Sequence, residues 1–149
     1  MPTMTEVDPH NQANFHVCVV KSDLREAEIP KQQILEAVER HGFDETSTFA
    51  IKLALEEALS NAVKHGNCCD PTKSITVRYA VTNEDVVVVV RDEGKGFEPH
   101  KVPDPTSSER LPLPNGRGIM LLRAYMDHVE YRDGGRELYM TKRRTSDKS

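Results

Sequence analysis

The stretch Ile51–Gly66, IKLALEEALSNAVKHG, decides how the rest of the chain is read. Ala50, Leu53, Ala54, Ala58 and Ala62 recur at three- and four-residue spacing, the mark of a buried helical stripe. Glu57 and Asn61 fall in that stripe one turn apart, and His65 continues the row one turn later. Burying a carboxylate and an amide without partners is costly. Either another part of the fold satisfies them, or this helix walls a ligand site. A polar pair tying the helix to a loop is the plainer alternative, and for His65 a structural role at the helix end is the stronger one. Glu56 points about 100° around the helix from Glu57 and is expected to face solvent.

Composition narrows the function classes. At 149 residues the chain has the size of one domain, and 37% hydrophobic residues suffice for one modest core. A net charge of −4 gives no broad nucleic-acid footprint. The longest apolar run, Val86–Val90, suits a buried strand and is far too short to cross a bilayer. The polar opening, MPTMTEVDPHNQANF, lacks the basic-then-apolar order of a signal peptide, so a soluble cytoplasmic protein is expected, without membrane contact. Three cysteines, Cys18, Cys68 and Cys69, make a poor disulfide framework and read as ordinary thiols.

In chain order, residues 1–13 read as a flexible arm and 14–143 as a single domain, with 144–149 a flexible tail. Phe15–Val20 suits an edge strand, and Pro30 suits the first position of a helix ended by His41 and Gly42. Asp44 or Thr46 caps the central helix, and Gly66 is placed to end it in a left-handed conformation. Ser74–Thr82 and Val86–Arg91 read as strands, the second apolar on both faces and therefore central. Glu98–Asn115 holds five of the nine prolines and no apolar period, which reads as a lid. A helix over Ile119–Met126 and a hairpin across Asp133-Gly134-Gly135 complete the chain. This order predicts an α+β fold: a two-layer sandwich of one mixed, mostly antiparallel sheet with helices on one face.

Two glycine motifs flank the lid. Asp92-x-Gly94-x-Gly96 puts a carboxylate acceptor at a strand end, beside backbone that a ligand can approach closely. Gly116-Arg117-Gly118 opens a helix, where free N–H groups suit phosphate and Arg117 can add charge-assisted contacts. Each alone is matched by a plain glycine turn or hinge. On the helix, an asparagine carbonyl suits Mg²⁺, and a glutamate one turn away can take a proton from an attacking hydroxyl.

Taken together, ExxxNxxxHG on a helix, DxGxG after a strand, a lid, and GxG before a helix resemble the GHKL (Bergerat-fold) ATPase superfamily. Within it, LALEEALSNAVKHGN, VVVVVRDEGKGFEP and NGRGIMLLRAYMDHVEYRDGG are most similar to the anti-sigma-factor serine/threonine kinases. The resemblance implies ATP and Mg²⁺ as cofactors, Glu57 as general base and Asn61 as metal ligand. It implies that Asp92 recognises the adenine amine and that Gly94, Gly96 and Phe97 shape the adenine pocket. It places His65, Gly116, Arg117, Gly118 and Ile119 among the nucleotide-binding residues. It further implies a homodimer that phosphorylates an anti-sigma-factor antagonist and binds and inhibits a sigma factor. A nucleotide-gated switch without phosphotransfer, or an ATPase of another signalling pathway, are the alternatives. One departure stands out: the family's last hairpin often carries Gly-Thr near the adenine, whereas here Arg136 follows the glycines.

Overall fold

Five consecutive valines leave no polar face, so a strand built from them has to be covered on both sides. In the computed structural model, which describes residues 15–67, 70–94 and 121–144, that strand lies at the centre of the sheet. The elements are β1 (His16–Lys21), α1 (Leu24–Arg40), α2 (Glu45–Asn61), a π-helical turn (Ala62–Gly66), β2 (Ser74–Val81), β3 (Asp85–Arg91), β4 (His128–Arg132), a 3₁₀ turn (Asp133–Gly135) and β5 (Glu137–Arg143). Residues 121–125 are also helical. The sheet order is β1-β2-β3-β5-β4. Every pairing among these strands is antiparallel, so the expected mixed sheet is antiparallel throughout its described part. As expected, β1 is an edge strand.

The helices cover one face. Ile34 and Val38 of α1 and Ile51, Leu55 and Ala58 of α2 pack on Ile75, Val77, Val86, Val88, Val90, Leu138 and Met140. These strand residues alternate along their chains, as the two-residue period of a strand requires. Val87, Val89 and Tyr139 form a second, small cluster on the opposite face. There the Arg132 guanidinium stacks 4.2 Å above the Tyr139 ring, while Val17 and Val19 on the edge strand stay exposed.

Three local expectations are corrected. Pro30 does not open α1. The helix starts six residues earlier, where the Asp23 side chain accepts from Arg25 N at 2.7 Å, and Pro30 sits buried inside it. A side-chain cap at the start and the burial of the proline ring offset the backbone hydrogen bond that proline forfeits. The buried face of α2 is centred on Ile51, Ala54, Leu55 and Ala58, so Glu57 and Asn61 lie half-buried at its margin and not within it. Gly66 is not left-handed, since Gly42, Gly134 and Gly135 are the described glycines with positive φ. Gly42 follows the α1 cap His41 as expected.

The Asp23 cap supports a direct check. Asp23→Ala should lower stability by about 1 kcal/mol, read as a lower urea midpoint with an unchanged m-value.

Candidate functional site

The far ends of α2 and β3 meet. Beyond Asn61 the chain widens into the π-helical turn, closed by Asn67 N donating to Ala62 O at 2.8 Å. Such turns inside or at the end of helices recur at functional sites. Asn67 is fully buried and ties three segments together. Its Nδ2 donates to Ser74 O at 3.1 Å, and its Oδ1 accepts from Glu93 N at 2.8 Å. The amide therefore anchors the turn to the start of β2 and to the segment that follows β3.

Gly66 and Gly94 make that approach possible. A Cβ on Gly66 would stand 2.3 Å from Asp92 Oδ2, and one on Gly94 would stand 1.8 Å from Gly66 O. Both distances are far inside van der Waals contact. These glycines are required by space, not by a left-handed backbone, and this replaces the role in ending the helix expected for Gly66.

Asp92 lies against this glycine contact, and its Oδ1 accepts from Gly94 N at 2.8 Å. Burial pushes its carboxyl above the ordinary range; the Gly94 N–H, Arg136, Arg91 and Lys73 act in the opposite direction. Tyr131 connects the two halves of the site. Burial and the nearby carboxylates of Glu57 and Asp92 push its phenol up to about 12. It is therefore a neutral hydroxyl at physiological pH. It reaches the site because Val129 and Tyr131 alternate onto the helix-facing side of β4, opposite Met140 and Leu138.

On α2, neighbouring carboxylates part ways. Glu56 is exposed and accepts from Lys31 Nζ of α1 at 3.3 Å. Glu57 is half-buried and lines a cleft of about 340 Å³ with Leu53, Glu56, Ser60, Leu121 and Tyr125. One turn on, Asn61 Nδ2 is buried without a hydrogen-bond partner among the described residues. His65 is exposed on the π-helical turn.

The structure thus brings Glu57, Asp92 and Gly94 together, with Asn61 one turn from Glu57 on α2. Gly96, Phe97, Gly116, Arg117, Gly118, Ile119, the proposed lid over 98–115, and Cys68 and Cys69 lie outside the described residues. Asn67 and Tyr131 belong to the site without having been singled out for it, and Arg136, noted as a departure from the family pattern, contacts it through Gly94 O. A tyrosine on the inward period of a strand, whose polar tip needs a partner, was the one available signal for Tyr131.

Comparison with known proteins gives concordant results. The family described as "Histidine kinase-like ATPase domain" matches residues 21–142. The serine-protein kinase RsbW of Listeria monocytogenes serotype 4a (strain HCC23) is 31% identical over 113 residues, covering 69% of this chain and 70% of that protein. The anti-sigma F factor of Clostridium perfringens (strain 13 / Type A) is 30% identical over 99 residues, covering 62% of this chain and 70% of its own length. The crystal structure of the RsbU and RsbW domains of Rv1364c from Mycobacterium tuberculosis superposes with a TM-score of 0.59 at 19% identity. It covers 87% of this chain but 31% of that longer one, and the likeness is one of fold.

Two outcomes follow from the geometry. Gly66→Ala should displace the Asp92 carboxylate while the sheet and helices persist. Far-ultraviolet circular dichroism would stay unchanged while amide resonances of residues 92–94 shift. The raised Asp92 value means that the folded protein holds more protons than the unfolded one from the ordinary 3.8 upward. Stability from this group therefore falls as pH rises through that window and stays lower above it. Asp92→Asn keeps an acceptor for Gly94 N and removes the penalty. Its melting temperature relative to the parent should be higher at pH 7 than near the ordinary carboxylate value.

Proposed function

The chain belongs to the histidine kinase-like ATPase domain family, and from that premise we propose that it is an ATP-dependent protein serine/threonine kinase. Its substrate in this reading is an anti-sigma-factor antagonist, and it also binds and inhibits a sigma factor. The names of its relatives, serine-protein kinase RsbW and anti-sigma F factor, support both roles. A homodimer, a cytoplasmic setting and the absence of nucleic-acid contact belong to the same proposal. No described helix is long and apolar enough to cross a membrane.

The single observation that carries the reading is the buried Asn61 Nδ2, without a hydrogen-bond partner among the described residues, one turn from Glu57. A buried amide without a partner calls for a bound group. An asparagine amide offers an N–H to a phosphate oxygen and a hard carbonyl oxygen to a divalent cation. The orphaned Nδ2 fits a phosphate oxygen, and the carbonyl of the same amide would be the protein ligand of a nucleotide-borne Mg²⁺. When bound, the metal would offset charge on the transferring phosphate.

The protein's own groups divide the work. Asp92 accepts from the exocyclic amine of adenine, and Gly94, held against Gly66, shapes the adenine pocket beside it. Gly96, Phe97, His65, Gly116, Arg117, Gly118 and Ile119 complete the proposed nucleotide contacts. Glu57 orients the substrate hydroxyl and takes its proton as that oxygen bonds to the γ-phosphorus and the bond to ADP breaks. Glu56, held by Lys31, is not in this role. Positioning and electrostatics supply most of such a barrier reduction, so a small set of groups suffices.

Incubation with labelled Mg-ATP and candidate antagonist proteins tests the reading. Label on a seryl or threonyl side chain supports it. ATP recovered unchanged beside tight partner binding would replace it with a nucleotide-gated switch. Glu57→Ala should keep ATP affinity and lower transfer by roughly 10²–10⁴-fold, measured by single-turnover phosphorylation.

A further inference from the structure

The hairpin residue Arg136 holds both ends of the Asp92 turn. Its backbone carbonyl accepts from Asp92 N at 3.0 Å, one pairing step beyond the last β3–β5 pair, Arg91 with Glu137. Its side chain then crosses to the other end of the turn, where Nε donates to Gly94 O at 2.9 Å. The guanidinium is itself anchored: Nη1 donates to Asp133 O at 3.3 Å and stands 3.8 Å from the Asp133 carboxylate. Asp133 is in turn ion-paired with Arg91 at the end of β3. Gly94 cannot shift toward α2, because Gly66 O already occupies that space. The turn Asp92-Glu93-Gly94 is therefore gripped from two sides, by Gly66 and Asn67 of the helix end and by Arg136 of the hairpin.

We propose that Arg136 is a positioning residue for base selection: by clamping Gly94 O it fixes the direction of the Asp92 carboxylate, and so sets how strongly the site prefers adenine to guanine. The proposal rests on the reading of Asp92 as the acceptor for the exocyclic amine. Adenine presents an N–H donor at that place and guanine a carbonyl oxygen. A carboxylate held in one direction accepts from the first and repels the second. A carboxylate on a loose turn loses the first contact and swings away from the second. Arginine suits the task because its planar fork spans Gly94 O and Asp133 together, which an ammonium on a flexible stem does not.

The test compares dissociation constants of non-hydrolysable ATP and GTP analogues by calorimetry for the parent, Arg136→Met, Arg136→Lys and Arg136→Gln. The parent should favour the adenine nucleotide. Arg136→Met should weaken adenine binding by about tenfold, the loss expected for one hydrogen bond to a charged group, with guanine affinity unchanged or slightly improved. Arg136→Gln, which keeps an uncharged amide N–H donor, should restore part of the preference. Arg136→Lys should restore less than its full charge would suggest. A parent that binds both nucleotides equally would remove the Asp92 reading, and the clamp with it. A parent that discriminates while Arg136→Met discriminates equally well would overturn the clamp alone. So would an Arg136→Met that loses both affinities in proportion, because that is the mark of general destabilisation.

Discussion

The site depends on two stretches of backbone touching with no side chain between them. Gly66 at the end of the helical layer and Gly94 beyond the central strand leave no room for a Cβ on either. Side-chain rotamers can rearrange; a backbone contact of this kind is set by the elements that carry it. β3 is fixed by its neighbours on both sides, and α2 by the core beneath it. Asn67 then ties the helix end to the start of β2 and to the segment after β3, one hydrogen bond to each from one buried amide. The position of Asp92 is thereby a property of the fold as a whole.

This contact also accounts for groups that lower stability where they stand. Asp92 is held in partial burial that disfavours its charge. Asn61 carries an amide nitrogen with no hydrogen-bond partner among the described residues. Neither helps the protein fold. Departures from self-consistency of this sort concentrate at functional sites; here Asn61 stands one turn from Glu57, and Asp92 and Glu57 both act on Tyr131. The rest of the helix layer obeys the ordinary rules: a cap on each helix, an apolar face on the sheet, and Lys31 paired with Glu28 and Glu56.

Much of this was legible in the sequence because it is local. Five valines marked the central strand, and period-two alternation marked its neighbours. The helical row of Glu57 and Asn61 marked the cleft, although the pair lies at the edge of the buried stripe. The order of the acidic and glycine motifs pointed to the family. Other features were misread or missed for physical reasons. A glycine after a helix serves equally as a left-handed cap or as a gap for a neighbour, and only the position of Asp92 distinguishes the two. Pro30 looked like a helix start because the Asp23 cap lies in a charged stretch without apolar period. Arg136 acts through the register of β3 against β5 and Tyr131 through its nearness to Glu57 and Asp92, and partners distant in sequence leave no local trace of their contact.

Apart from the edge strand β1 and the helix at 121–125, the described sheet and helix layer consist of three hairpins: α1 with α2, β2 with β3, and β4 with β5. Each supplies one part of the site. The first gives Glu57, Asn61 and Gly66, the second leads into Asp92 and Gly94, and the third brings Tyr131 and Arg136. No single hairpin carries all of these residues. The set of groups is therefore complete only once β3 has paired with β5 and α2 has packed on the sheet. Interactions that form after the folding barrier slow unfolding and leave the folding rate nearly untouched. A molecule bound among the three hairpins would act as a kinetic clasp, lengthening the life of the folded state without hastening its arrival.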